Sequence, residues 1–233
     1  MQSSDRLTLE EIQQLEELAA RKLPKNPTWG EQSLTDRVRR CFSWLKTATE
    51  SSSENGPQRF MELWIELNTL YGTRPYEVGR NKDERSDFER FLHLLSRLGA
   101  ASEEFVNVMK RSEKRSVGLI RNKYLWNEFW REDGIGYREK SAIAHREIEQ
   151  AIHAKDVVTY YALIFERLRV LRNQIAHGSS SVDTRKSADA LVPALLFLEE
   201  TIPLFLRLMI QHGIGREWLP VPYPGRETPQ HPE

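Results

Sequence analysis

Apolar residues recur along this chain at intervals of three and four, the spacing that lines them up on one face of an α-helix. The longest such stretch is 156–177, where Val157, Tyr161, Ile164, Leu168, Leu171 and Ile175 follow one another at steps of four, three, four, three and four. That narrow seam suits packing against another helix. In RFMELWIELNTLYG, 59–72, Phe60, Trp64, Leu67 and Tyr71 share one helical face as core residues, and Gly72 stands where a C-terminal cap is expected. A first helix is expected over 8–22, because Thr8 and Glu11 have the spacing of a capping box and Ile12, Leu15 and Leu18 follow. A second should carry Val38, Cys41, Phe42 and Leu45 over 34–49. Further helices are predicted over 86–98, 102–111, 114–131, 139–153 and 184–211, the last with Pro193 and Pro203 as points for a kink.

Breakers separate these segments. KLPKNPTWG ends the first helix with two prolines and a glycine, and SSSENGP, TRPYEVGRNKDERS, REDGIGYREK and GSSSVDTRKS read as connectors. The proline-rich tail GREWLPVPYPGRETPQHPE is expected to dock through Trp218 and Tyr223. No segment alternates like a strand. The pattern therefore predicts an all-α helical bundle divided as 1–33, an N-terminal helical extension, 34–213, the main helical domain, and 214–233, the tail.

Composition narrows the choice of partner. The chain has 233 residues, with 34 basic and 34 acidic side chains, so any polyanion site must be a local patch. Cys41 is the single cysteine, which excludes an intramolecular disulfide and an all-cysteine metal site and fits a reducing cytoplasm. The N-terminal residues lack the apolar core of a signal peptide, and the most apolar run, 191–210, is broken by Glu199, Glu200, Pro203 and Arg207. No membrane association is expected. The histidines, among them His93, His145 and His153, have no ligand spacing, so neither metal nor cofactor is implied. Lys110, Arg111, Lys114, Arg115, Arg121 and Lys123 form a basic cluster that Glu113 dilutes, as consistent with a solvated face as with a nucleic-acid track.

The candidate chemistry lies in RNQIAHG, 172–178. An arginine followed five positions later by a histidine occurs three times, at Arg172 and His177, Arg207 and His212, and Arg226 and His231. Context separates them. The third lies in the proline-rich tail, and the second ends an apolar helix before Gly213. The first has polar Asn173 directly after the arginine and Gly178 after the histidine. Five helical positions amount to about 140° and about 7.5 Å, so Arg172 and His177 diverge. His177 shares a stripe with Asn173, which is placed to hydrogen-bond the imidazole, while Arg172 shares one with Arg169 and Phe165. Two arginines three apart suit a phosphate or an acidic partner. Convergence on one phosphate is easier if two copies of the segment face each other across a two-fold axis. On 59–72, Glu62 and Glu66 form a like-charged pair four apart. Glu66, Glu62 or Asn68 is the candidate to orient Arg172, and a solvated helix edge is the plainer account of the acidic pair.

LRVLRNQIAHG resembles the signature of HEPN domains, an arginine followed by Asn, Asp or His and, four to six residues further on, a histidine. RFMELWIELNTLYG is similar to the early helix of bacterial HEPN proteins of the ApeA-like kind, and DERSDFERFLHLL and WLPVPYP add weaker similarity. The resemblance covers about 35–225. It implies a HEPN-like antiparallel helical bundle, a homodimer with a composite site, and either of two functions. One is a metal-independent endoribonuclease acting as a toxin or anti-phage defence effector, with Arg172 and His177 catalytic and Asn173, Arg169, Glu66 and Asn68 in support. The other is a catalytically silent module that binds RNA, a nucleotide or a protein partner; a purely structural helical dimer within a larger complex also fits the pattern. In the nuclease reading, histidine moves protons near neutral pH, arginine grips phosphate oxygens, and the 2′-hydroxyl of RNA attacks the neighbouring phosphate. DNA, lacking that hydroxyl, should survive. An antitoxin or defence-system partner is conceivable in this family. The tyrosine that follows the histidine by two in toxins silenced by adenylylation is Ser179 here, so that mode of control is not expected.

Overall fold

The computed structural model describes residues 7–50, 56–73, 84–98, 101–131, 135–178 and 185–221. The described residues form α-helices and one short 3-10 turn, with no strand among them, so the fold is all-α. The helices are α1 (Leu9–Lys22), α2 (Trp29–Glu50), α3 (Gly56–Tyr71), α4 (Glu84–Ser96), α5 (Ala101–Arg121), α6 (Asn127–Arg131), α7 (Ile135–Ala154), α8 (Val157–Ala176) and α9 (Arg185–His212), and the 3-10 turn is Lys123–Leu125.

Capping chemistry sets several of these boundaries. At α1 both halves of the capping box form. The Glu11 amide donates to Thr8 Oγ1 at 3.2 Å, and the Thr8 amide donates to Glu11 Oε2 at 2.8 Å. Thr8→Ala removes one of these bonds and is expected to cost about 1 kcal/mol of unfolding free energy in urea denaturation. Helix α2 begins at Trp29, five residues before the expected start at 34. Thr28 and Glu31 hold that end, with the Thr28 amide and hydroxyl both donating to Glu31 Oε2. The prolines of KLPKNPTWG end α1, but Trp29 and Gly30 already belong to the next helix.

The expected break near residue 112 is absent. Helix α5 is continuous, and within it Ser112 and Ser116 return their hydroxyls to the carbonyls of Val108 and Ser112 and also meet the buried Tyr160 hydroxyl. The break falls instead at Asn122, whose side chain accepts from the Tyr124 amide and starts the 3-10 turn. Helix α7 starts at Ile135 and includes Gly136, part of the expected connector. Helix α9 runs unbroken through Pro193 and Pro203.

Helices α8 and α9 form the heart of the bundle. Helix α8 packs on α4, α5 and α7, with a smaller contact to α3, while α9 packs on α3, α5, α1 and α2. The apolar seam of α8 is buried at Tyr161, Ile164, Leu168 and Leu171, but Tyr160, Ala162, Phe165 and Val170 are buried too. The helix is therefore enclosed more fully than a single seam implies. Phe165 stacks on Trp64 of α3 at 5.2 Å and on Phe88 of α4 at 4.1 Å between ring centroids. This aromatic block lies directly beneath the Arg172 end of α8.

The segment after α9 folds back onto the bundle. Trp218 is buried and its indole N–H donates to the Gly213 carbonyl at 2.9 Å. Gly213 permits that approach, because a Cβ there would meet the Met209 carbonyl oxygen at 2.4 Å and the Trp218 ring at 2.9 Å. Buried Arg37 of α2 donates to the carbonyls of Leu70, Gly72 and Leu219, tying this segment to the end of α3. Tyr223, the other expected anchor, lies outside the described residues, as do Ser179, Arg226 and His231. No helix among the described residues is long and apolar enough to cross a membrane.

Candidate functional site

RNQIAHG closes α8. The amide of His177 donates to the Asn173 carbonyl at 3.0 Å, and Gly178 takes φ of 64°, the left-handed turn that ends a helix. His177 is exposed at this end, and Asn173 is half-buried one turn earlier. Among the described residues the Asn173 side chain makes no hydrogen bond to the imidazole. The two residues are joined through the backbone instead, because His177, at φ −95° and ψ 8°, has already left the helical course.

Arg172 points the other way, toward α3 and α4. Its Nη2 meets Glu84 Oε2 at 2.5 Å, and its guanidinium carbon sits 5.2 Å from the centre of the Trp64 ring. The second oxygen of Glu84 accepts from the Tyr71 hydroxyl at 3.0 Å, and that hydroxyl also contacts Asn68 Oδ1. A phenol carries one proton, so it donates to one of these oxygens at a time. Burial, and then the charge of Glu84, push the Tyr71 phenol far above its ordinary range, which keeps it a donor. The result is a chain of contacts, Asn68–Tyr71–Glu84–Arg172, that fixes the guanidinium over an indole face.

Position on α3 explains which predicted supports join this chain. Trp64, Asn68 and Tyr71 fall on one face of the helix, toward α8. Arg59, Glu62 and Glu66 fall on the opposite face, toward α2 and α9. Glu66 is fully buried, and its charged neighbours are Arg59, Glu62 and Glu199, not Arg172. The carboxylate that orients Arg172 is thus Glu84, where the sequence pointed to Glu66, Glu62 or Asn68; Asn68 contributes only through Tyr71. Nor are Glu62 and Glu66 a solvated edge, since both are buried. Arg169, the expected companion of Arg172, pairs with Glu166 at 3.0 Å. Gln174 donates to the Tyr124 carbonyl at 2.6 Å and anchors the 3-10 turn beside this end of α8.

The other candidates sit elsewhere. Arg111 and Arg115 of the basic cluster both reach Glu200 of α9, at 2.9 and 2.5 Å. Lys110, Lys114, Arg121 and Lys123 are exposed. Arg207 is exposed and faces Glu104 at 3.6 Å, and His212 is the last residue of α9. Two clefts are described, of about 500 Å³ between α5 and α9 and about 640 Å³ between α4 and the segment after α9, and neither is lined by Arg172 or His177. Among the described residues no group of three His, Cys, Asp or Glu side chains is placed to hold a metal ion. Compared with protein-family models, curated proteins and solved structures, the chain matches none.

Proposed function

We propose that this chain is a metal-independent endoribonuclease of the HEPN type, a cytoplasmic toxin or anti-phage defence effector working as a homodimer. The observation that carries the proposal is the C-terminal end of α8. An arginine held by Glu84 and Trp64 lies there within five residues of an exposed histidine that caps the helix. Arg172 binds the scissile phosphate and offsets the charge that develops on it, and His177 moves the proton of the attacking 2′-hydroxyl. The two side chains leave the helix in different directions, and neither lines either of the two clefts described above. A second copy related by a two-fold axis supplies the facing wall. The products are a 2′,3′-cyclic phosphate and a 5′-hydroxyl.

The test is incubation of purified protein with mixed RNA in EDTA, with analysis of the product ends. Cleavage of RNA but not of the same sequence as DNA supports the proposal. No cleavage at any protein concentration, or a stable monomer by sedimentation, counts against it.

One observation favours the silent binding module. Glu84 already neutralises Arg172, as an acidic residue would in a module that takes a protein partner and never meets phosphate. In the nuclease a phosphate displaces Glu84, so Glu84→Gln is expected to tighten RNA binding severalfold. The gain should vanish in the Glu84→Gln, Arg172→Ala double variant. An affinity unchanged by Glu84→Gln would favour the silent module.

A further inference from the structure

Beside the end of α8 stands an aromatic knuckle that the helical pattern of the sequence conceals. Tyr124, Trp126, Phe129, Trp130 and Tyr137 come together in a set of edge-on and tilted ring contacts, with centroids 5.4 to 6.0 Å apart. Its inner side is clamped to α8, where the Arg167 guanidinium lies 3.6 Å from the centre of the Trp126 ring. Its outer side is open, and Trp130 is 58% exposed.

An exposed tryptophan free to rotate would be unremarkable, but this one is held. Its indole N–H donates to the Tyr124 carbonyl at 3.0 Å, and the same oxygen accepts from the Gln174 amide at 2.6 Å. One carbonyl therefore fixes Trp130 relative to a residue that lies between Arg172 and His177 in the chain. A large aromatic face is kept rigid and wet, at low entropic cost to a ligand that stacks on it.

Charge around the knuckle favours a polyanion. Arg121, Lys123 and Arg131 are exposed, and the Lys123 ammonium lies 5.2 and 5.1 Å from the Tyr124 and Phe129 ring centres. The acid within the knuckle, Glu128, is paired with Lys140 at 2.6 Å. Glu132 and Asp133, next in the chain, lie outside the described residues. Aromatic faces interleaved with cations bind single-stranded nucleic acid, because every unpaired base has a face to stack. In a duplex those faces are already occupied.

We infer that Trp130, backed by Tyr124 and flanked by Lys123, is a stacking platform that holds an unpaired base of single-stranded RNA next to the Arg172 and His177 end of α8. This inference rests on the ribonuclease reading and adds to it a preference for unpaired substrate.

The test measures binding of a short fluorescein-labelled oligouridine by anisotropy in EDTA, using full-length protein with His177→Ala to prevent cleavage. Trp130→Ala in that background is expected to weaken binding about ten- to a hundredfold, and Trp130→Phe to keep most of it. Trp44→Ala, which removes another exposed tryptophan on α2, should change nothing. Once the oligouridine is annealed to its complement, the parent and Trp130→Ala should bind it alike. Equal binding of the single strand by the parent and Trp130→Ala overturns the platform. So does a Trp130→Ala variant that alters sedimentation while leaving RNA affinity intact, since the knuckle would then be a protein contact. Should the parent bind no single-stranded RNA, the ribonuclease reading falls with it. Should wild type cleave RNA and Trp130→Ala cleave equally well, only the platform falls.

Discussion

His177→Ala is expected to lower RNA cleavage about 10²- to 10⁴-fold, the range that a positioned general acid or base contributes. Arg172→Ala should lose a comparable factor, because it removes the fixed positive charge opposite the phosphate. Neither loss should come from unfolding. His177 is exposed, and surface substitutions of that kind stay within about 0.5 kcal/mol. Arg172 and Glu84 are each about one-third exposed, at 27% and 31%, so solvent screens the pair and its removal costs about 1 kcal/mol or less. Arg172→Lys keeps the charge but not the planar fork, and should recover little activity. Arg207→Ala and His212→Ala carry the same spacing on α9 and should retain full activity. A composite site adds a sharper expectation. If each phosphate takes its arginine from one copy and its histidine from the other, mixing the two inactive variants restores about a quarter of wild-type activity. A mixture as inactive as its components would place both groups in one chain.

The bundle was legible because helices bury periodic faces, and 3.6-residue periodicity survives in any sequence that forms a soluble helix. Thr8 with Glu11, the core face of 59–72 and the end of α8 at Gly178 could all be read locally, from residues a turn apart. The boundaries that were misread were overridden by caps of one or two hydrogen bonds. Thr28 with Glu31 starts a helix directly after two prolines, and Asn122 ends one with neither proline nor glycine beside it. The misassigned partner of Arg172 has another cause. Glu84 is 88 residues away in sequence, and nothing in local periodicity joins a first-turn acid of α4 to an arginine near the end of α8. The knuckle was hidden in the same way. Trp126, Phe129 and Trp130 keep helical spacing, but Tyr124 sits on the 3-10 turn and Tyr137 on α7, so no single helical face joins the five rings. Glu62 and Glu66 looked solvated because carboxylates usually are. Their burial follows from α3 being enclosed by α2 and α9 on one side and by α8 on the other.

That burial makes Glu66 the source of a second large effect, on stability. On this face Arg59 is committed to Glu199 at 2.7 Å and to the Ala48 carbonyl at 2.6 Å. Glu66 has no hydrogen-bond partner for either oxygen among the described residues. Burial, outweighing the attraction of Arg59, raises its carboxyl from 4.5 to about 9, so the folded protein keeps a proton there at neutral pH. The unfolded chain releases that proton near 4.5 and the folded chain near 9. Between those values the folded state binds one proton more, and the contribution of Glu66 to unfolding free energy falls as pH rises, by up to about 1.4 kcal/mol per pH unit. It is most favourable below 4.5 and fully lost above 9. Glu66→Gln keeps the shape and removes the ionisation. The variant is expected to exceed wild type in urea denaturation by a few kcal/mol at pH 8, on the order of the lost slope, and to match it near pH 4.5. Parallel stability curves for the two proteins from pH 5 to 9 would mean that Glu66 stays charged in the fold.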